Sequence, residues 1–297
     1  MKTIYPKYSY SYKLSFLINR LNVKKITIYI IMGINGFSKV FGAGDVVDLN
    51  DVIHKDSTIS IDMSIFIQTN LYATKCDITD TMRNIRLMIE SIQMCEPKSI
   101  VAVFDNKSLN PRKAKTAEKR KVDKQKKKMR SDNGESVNYV SSEIIISTTL
   151  LVKQMVLMMG IDAHTPPCEY EAEHYASRVA ETVISNDSDC MFFGATEMLT
   201  KKGGVWRCYN LENILDTYDI GMEDFRKMCV ALGTDFCKKV PGVGIKTVRK
   251  LKFDINDEQQ SIIEYASIDI IEPEIVEFGA IDIEGLDELV QSLKIKI

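Results

Sequence analysis

Three short apolar runs in this chain each deliver aspartate within or at the end of the run, and that arrangement constrains the fold more than any other feature. TISIDMSIFI carries Asp62 in its middle, SIVAVFD closes on Asp105, and ETVISNDSD sets Asp187 and Asp189 at its end. Runs of this length and β-branched content read as buried strands. Between them, TMRNIRLMIESIQMC and SEIIISTTLLVKQMVLMMG space their apolar residues for helices. This alternation predicts an α/β domain with a mainly parallel central sheet flanked by helices. In open sheets of that kind ligands bind beyond the carboxyl ends of the strands, so acids there are expected to converge on one crevice.

The chain has 297 residues and 45% hydrophobic content, enough for an ordinary globular core. Its seven cysteines form no CxxC pair, and its three histidines stand apart at 54, 164 and 174. A disulfide framework, a zinc site and histidine-based catalysis therefore lack material, and a reducing compartment, nucleus or cytoplasm, follows. Ile/Asn/Lys-rich usage fits an AT-rich genome such as that of a large DNA virus.

The net charge of −2 conceals two opposed regions: 107–130 holds twelve Lys/Arg against Glu118 and Asp123, and 254–297 holds twelve Asp/Glu against Lys294 and Lys296. A basic block of this density is a solvated helix face, a disordered arm or a phosphate-binding surface, and a second clue must decide. It is too charged for a core element and reads as an exposed helical insertion. Residues 1–31 carry six basic and no acidic residues, and their apolar run ITIYII is too brief to span a bilayer. The expected organisation is an extension at 1–31, a core over 32–235 interrupted by the basic insertion at about 106–145, and a glycine-hairpin element with an acidic tail over 236–297.

The chemistry must come from carboxylates. Asp62, Asp105, Glu171, Glu173, Asp187, Asp189 and Asp235 lie at strand ends and adjacent helix starts. A lone aspartate at such a place is more often a turn or cap residue. Seven converging acids would repel one another strongly, and a fold tolerates them when cations compensate. Oxygen ligands select Mg²⁺ or Mn²⁺ over zinc. Two such ions about 3.5–4 Å apart would serve phosphodiester hydrolysis without a covalent intermediate. No GxSxG elbow and no Walker loop is present. PGVGIK at 241–246, followed by Arg249 and Lys250, reads as a tight hairpin entering a basic helix, where glycines admit a phosphate to the backbone and free N–H groups meet it. It supplies the second clue for phosphate binding.

With MGINGF, ISIDMS, VFD, EYEAE, NDSDCMFFG and ALGTDFCKKVPGVGIK in this order, the chain from Met32 to about Leu251 resembles the XPG-type structure-specific 5′ nucleases, in particular the flap endonuclease group. The resemblance implies a PIN-like nuclease core and cleavage of 5′ flaps or related branched DNA, with 5′ exonuclease activity, in replication or repair. It implies that all seven acids hold two Mg²⁺ ions, replaceable by Mn²⁺, with Glu173 and Asp187 nearest them. The basic insertion becomes a helical arch. Arg112 falls at the family's catalytic lysine, and Lys119 or Arg120 at its arginine. PGVGIK resembles the helix-hairpin-helix element, with Gly242, Gly244, Lys246 and Arg249 on duplex backbone and a K⁺ ion at the hairpin carbonyls. Gly33 would lie close to the active centre and DNA, and translation from Met32 is expected.

Departures accompany the match. Asn106 and Ser108 replace the expected glycine and proline, which leaves the register of Arg112 open. Phe66 or Gln68 stands for the aromatic that stacks on the base beside the cut. The tail ends in QSLKIKI, without the paired aromatics of a sliding-clamp motif. A monomer in the nucleus is the expected state. A Holliday-junction resolvase of the same superfamily and a non-catalytic DNA-binding scaffold are the competing readings.

Overall fold

The computed structural model describes residues 33–106, 111–135, 139–167 and 170–268. The expected extension at 1–31, the start at Met32, Ser108 at the arch entry and the acidic tail from 269 through QSLKIKI lie outside the described residues. In chain order, α1 (Phe37–Phe41), β1 (Asp45–Val46) and α2 (Leu49–Val52) lead to β2 (Thr58–Asp62), α3 (Met63–Ala73), α4 (Ile78–Gln93) and β3 (Ser99–Val103). A 3-10 turn at Pro111–Lys113 opens α5 (Ala114–Asp132), followed by α6 (Ser142–Met158), β4 (Asp162–His164), α7 (Ala172–Val179), β5 (Thr182–Ile184) and α8 (Asp189–Phe192). The hairpin of β6 (Glu197–Lys202) and β7 (Val205–Asn210) precedes α9 (Leu211–Tyr218), α10 (Met222–Leu232), a 3-10 turn at Val248–Lys250 and α11 (Asp257–Ala266).

The strands form one sheet in the order β1-β7-β6-β5-β2-β3-β4. β6, β5, β2, β3 and β4 are parallel neighbours, and β7 and β1 close one edge antiparallel. Successive strand residues enter opposite cores: Val101 and Val103 pack with Val183 and Met198, while Ile100 and Ala102 pack with Ile184 and Leu199. Both faces are therefore covered, which is why the central strands β2, β3 and β5 are near-continuous apolar runs.

TISIDMSIFI is divided by the structure: its first half is β2, and MSIFI begins α3. Asp62 makes the division, holding an extended backbone while its side chain accepts the Ile65 N–H at 3.4 Å. A short apolar run does not distinguish strand from buried helix, and the cap decides. Asp77 and Ser141 cap α4 and α6 in the same way. The α4 residues Met82, Ile85, Ile89 and Ile92 recur at helical spacing and bury one face.

The basic insertion is helical as expected, and α5 is exposed along most of its length. The basic helix expected directly after PGVGIK is a single 3-10 turn, ended by Leu251 at φ 49°. Val248 is buried there while Lys246, Arg249 and Lys250 are exposed, so the segment lacks an apolar face to anchor a longer helix.

Candidate metal centre and nucleic-acid interface

Every predicted acid belongs to one electrostatic neighbourhood at the carboxyl edge of the parallel strands. Asp62 ends β2, Asp105 lies two residues beyond β3, Asp187 and Asp189 follow β5, and Glu171 immediately precedes α7 with Glu173 in its first turn. Asp235 arrives from the loop after α10. Glu173, Asp187 and Asp189 form the centre, with carboxylate oxygens all within 4.8 Å of one another. Those three residues are buried.

Hydrogen bonds hold part of the cluster from behind. The Ser185 hydroxyl donates to Asp62 Oδ2 at 3.0 Å and accepts the Asp187 N–H at 3.0 Å, joining the ends of two adjacent strands. The Asp189 N–H donates to Asp187 Oδ1 at 2.9 Å. Gly33 takes φ +81°, and a Cβ there would lie 2.3 Å from Asp187 Oδ1. Only glycine fits this close approach. The next residue, Ile34, donates its N–H to Ser188 Oγ at 2.9 Å.

Burial and mutual repulsion shape the protonation of these acids. Burial, then Asp105, Glu173 and Asp187, push the Asp62 carboxyl well above the ordinary range. Burial and Glu173 raise Asp187 to about 7. Asp189 is driven up by burial, then by Asp187 and Asp235. Asp105 reaches solvent with its side chain, yet the protein packed around its carboxyl, together with Glu173, raises it to about 6. Both Asp189 oxygens are buried without a hydrogen-bond partner. Such atoms carry a full desolvation cost, and a hard divalent cation is the ligand that would offset it. The residues present therefore fit a divalent metal.

One cation of the chain already sits among them. Lys113 Nζ donates to Glu171 Oε2 at 3.0 Å and to Glu173 Oε1, and lies 4.6 Å from the centre of the Phe236 ring. Burial alone would lower its ammonium, but Glu173, Glu171 and Asp189 outweigh burial and hold it charged. Lys113, the neighbour of Arg112, is thus the side chain of this turn that pairs with Glu171 and Glu173. Arg112 is exposed, with its guanidinium 4.4 Å from the centre of the Tyr265 ring, because the 3-10 turn aims consecutive side chains in different directions. Of Lys119 and Arg120, it is Arg120 that reaches the acids, through an ion pair with Asp235. Lys119 is exposed on α5, away from the acids. No spacing singles out Lys113, because its interval of seven to Arg120 is matched by the interval from Arg112 to Lys119. No sequence pattern marked Ser185.

Phe66 is 4% exposed and packed in the core, which removes it as a base-stacking side chain. Gln68, the other candidate, is half-buried. At the hairpin, Gly242 and Gly244 are exposed, with no atom within 4 Å of a Cβ built on either, and Lys246 is exposed. Arg249 is turned onto the protein, donating to the Val40 carbonyl with its guanidinium 5.0 Å from the centre of the Tyr218 ring. Among the described residues no helix is long and apolar enough to cross a membrane.

The XPG I-region family matches residues 160–235, the stretch that carries Glu171, Glu173, Asp187, Asp189 and Asp235. Flap endonuclease 1 of Methanobrevibacter smithii is 34% identical over 132 residues, 40% of this chain and 40% of its own. Flap endonuclease 1 of Nematostella vectensis is 27% identical over 245 residues, 72% of this chain and 65% of its own. The chain thus spans less than two thirds of the length of these curated relatives. Among solved structures, the catalytic core of Rad2 in complex with DNA substrate shares the fold, with a TM-score of 0.63 at 18% identity over 88% of this chain and 95% of that one. The I-region match, the flap endonuclease relatives and the shared fold together make the chain similar to the XPG-type, flap endonuclease-like nucleases.

Proposed function

We propose that the chain is a divalent-cation-dependent nuclease that hydrolyses phosphodiester bonds at 5′ flaps or related branched DNA, with 5′ exonuclease activity. The observation that carries this reading is the Glu173, Asp187 and Asp189 cluster, within 4.8 Å, in which both Asp189 oxygens are buried and unpartnered. The named activity of the flap endonuclease 1 relatives agrees with it.

In this reading Glu173, Asp187 and Asp189 hold the cations, with Asp62, Asp105, Glu171 and Asp235 around them. Bound Mg²⁺, or Mn²⁺ in its place, would supply Lewis-acid activation of water and neutralise charge on the scissile phosphate. Lys113 and Arg120, on one face of the arch base, bring fixed positive charge to that phosphate. Water adds to phosphorus, the bond to the 3′ oxygen breaks, and the departing oxygen takes up a proton. The exposed hairpin around Gly242 and Gly244, with Lys246, meets duplex backbone, with K⁺ at its carbonyls by the same family resemblance. That resemblance extends the reading to replication or repair in the nucleus, by a monomer.

The test is a panel of flap, nicked, bubble and four-way DNA with Mg²⁺, Ca²⁺ or EDTA, on the wild type and Asp187→Ala. Flap cleavage that needs Mg²⁺ and disappears in Asp187→Ala is expected. Preferential cutting of four-way junctions would replace flap cleavage with junction resolution. Binding of flaps without cutting would leave a DNA-binding scaffold.

A further inference from the structure

The helix α5 has an unusual dependence on its base. None of its described residues is buried, no side chain caps its N-terminus, and basic residues crowd its length. A helix without an apolar face is held by whatever contacts its ends make. Three of those contacts lead to the same short loop. Arg120 pairs with the Asp235 carboxylate, Lys113 lies over the Phe236 ring, and the Thr116 hydroxyl donates to the Asp235 main-chain carbonyl at 2.6 Å.

The Thr116 bond differs in kind from the other two. Threonine in a helix ordinarily returns its hydroxyl to a carbonyl of the preceding turn. Thr69, Thr148 and Thr149 do so in this protein. Thr116 instead reaches a carbonyl 119 residues away in sequence. Its bond is neutral, whereas the Lys113 and Arg120 contacts are charge interactions that any cation or phosphate entering the site would compete for. A neutral bond to main chain persists while the charged side chains exchange partners.

We infer that Thr116 is a positioning residue: its hydroxyl fixes the register of the arch base on the backbone that carries Asp235, so that Lys113 and Arg120 remain aimed at the reacting phosphate when they leave the acids. This rests on the reading of Lys113 and Arg120 as phosphate contacts given above. Thr116→Val preserves shape and removes the donor, and Thr116→Ser preserves the donor.

Hydrogen exchange on the full chain reads the register without requiring activity. In Thr116→Val, amides of 112–120 and 233–237 should exchange about five- to tenfold faster, the worth of one neutral hydrogen bond. The gap should widen at about 1 M salt, where charges are screened within about 3 Å. Thr116→Ser should match the wild type. In single-turnover flap cleavage, Thr116→Val should lose about tenfold in rate with flap affinity unchanged, and Thr116→Ser should recover it. Unchanged exchange in Thr116→Val, or Thr116→Ser behaving like Thr116→Val, overturns the assignment. So does a cleavage rate within twofold of wild type. If the wild type cuts no substrate, the proposed function fails, and exchange alone decides the role of Thr116 in holding the arch.

Discussion

Lys113 and Asp189 show how single side chains set the terms of the site. Asp189 leaves two buried oxygens without partners, and Lys113 places its ammonium against Glu171 and Glu173. Removing Lys113 takes away the positive charge closest to the central acids, whereas Arg112 rests over Tyr265 at the rim. We expect Lys113→Ala to slow single-turnover cleavage by about 10²–10³, as for loss of a preorganised electrostatic contact, and Arg112→Ala to change it only a few-fold. Equal losses in the two variants would contradict the placement. Phe66 gives the opposite case, an apparent recognition residue that belongs to the core. Phe66→Ala should destabilise by about 3–5 kcal/mol in denaturant titration, and Phe66→Leu should cut flaps at close to the wild-type rate. A tenfold slower Phe66→Leu with unaltered stability would return Phe66 to the DNA interface.

Among the elements, the arch helix α5 is the one whose composition and packing disagree with ordinary folding. Lys121, Lys124, Lys126, Lys127 and Lys128 project from a helix without a buried face, a surface suited to a polyanion. Replacing Lys124, Lys127 and Lys128 by Gln should weaken flap binding and flatten its salt dependence. The slope of log affinity against log salt should fall by about 0.7–0.9 for each phosphate that is no longer neutralised. An unchanged slope in the triple variant would show that this part of α5 meets no DNA. The helix itself was legible in the sequence, since 107–130 is too charged to be buried. Which of its basic residues turn inward was not, because adjacent side chains at the 3-10 turn diverge and one residue of register exchanges Arg112 for Lys113. The segment after PGVGIK departs from the expected helix for a related reason. Its basic residues describe a surface, but a helix also needs an apolar face to bury, and within Val248–Lys250 only Val248 is buried.

At the scale of the whole molecule, the acid cluster links stability to protons and metal. Burial and Glu173 raise Asp187 from an ordinary 3.8 to about 7, and Asp105 is raised too, but its exposed side chain is screened by solvent and adds little. A carboxyl raised on folding binds more protons in the folded state, so stability is greatest at acid pH and falls as pH rises through that window. The metal-free protein should therefore lose on the order of a few kcal/mol between about pH 4 and pH 7. In EDTA the Tm should drop from pH 5 to pH 8, and Mg²⁺ at pH 8 should restore it, since a cation that binds only the folded state adds stability. A Tm in EDTA that is flat over this range would remove the electrostatic account of the cluster. The primary structure by itself determined the alternation of strand and helix, because apolar periodicity and run length act locally. It also determined that Asp62, Asp105, Asp187 and Asp189 could meet, because strand ends in a parallel sheet share one edge. Only the tertiary structure decided that Asp62 ends a strand and caps a helix, that Lys113 enters the cluster, and that Ser185 joins two acids while Phe66 fills a core. Those outcomes depend on side-chain direction and on contacts between residues far apart in the chain, for which no local spacing carries a signal.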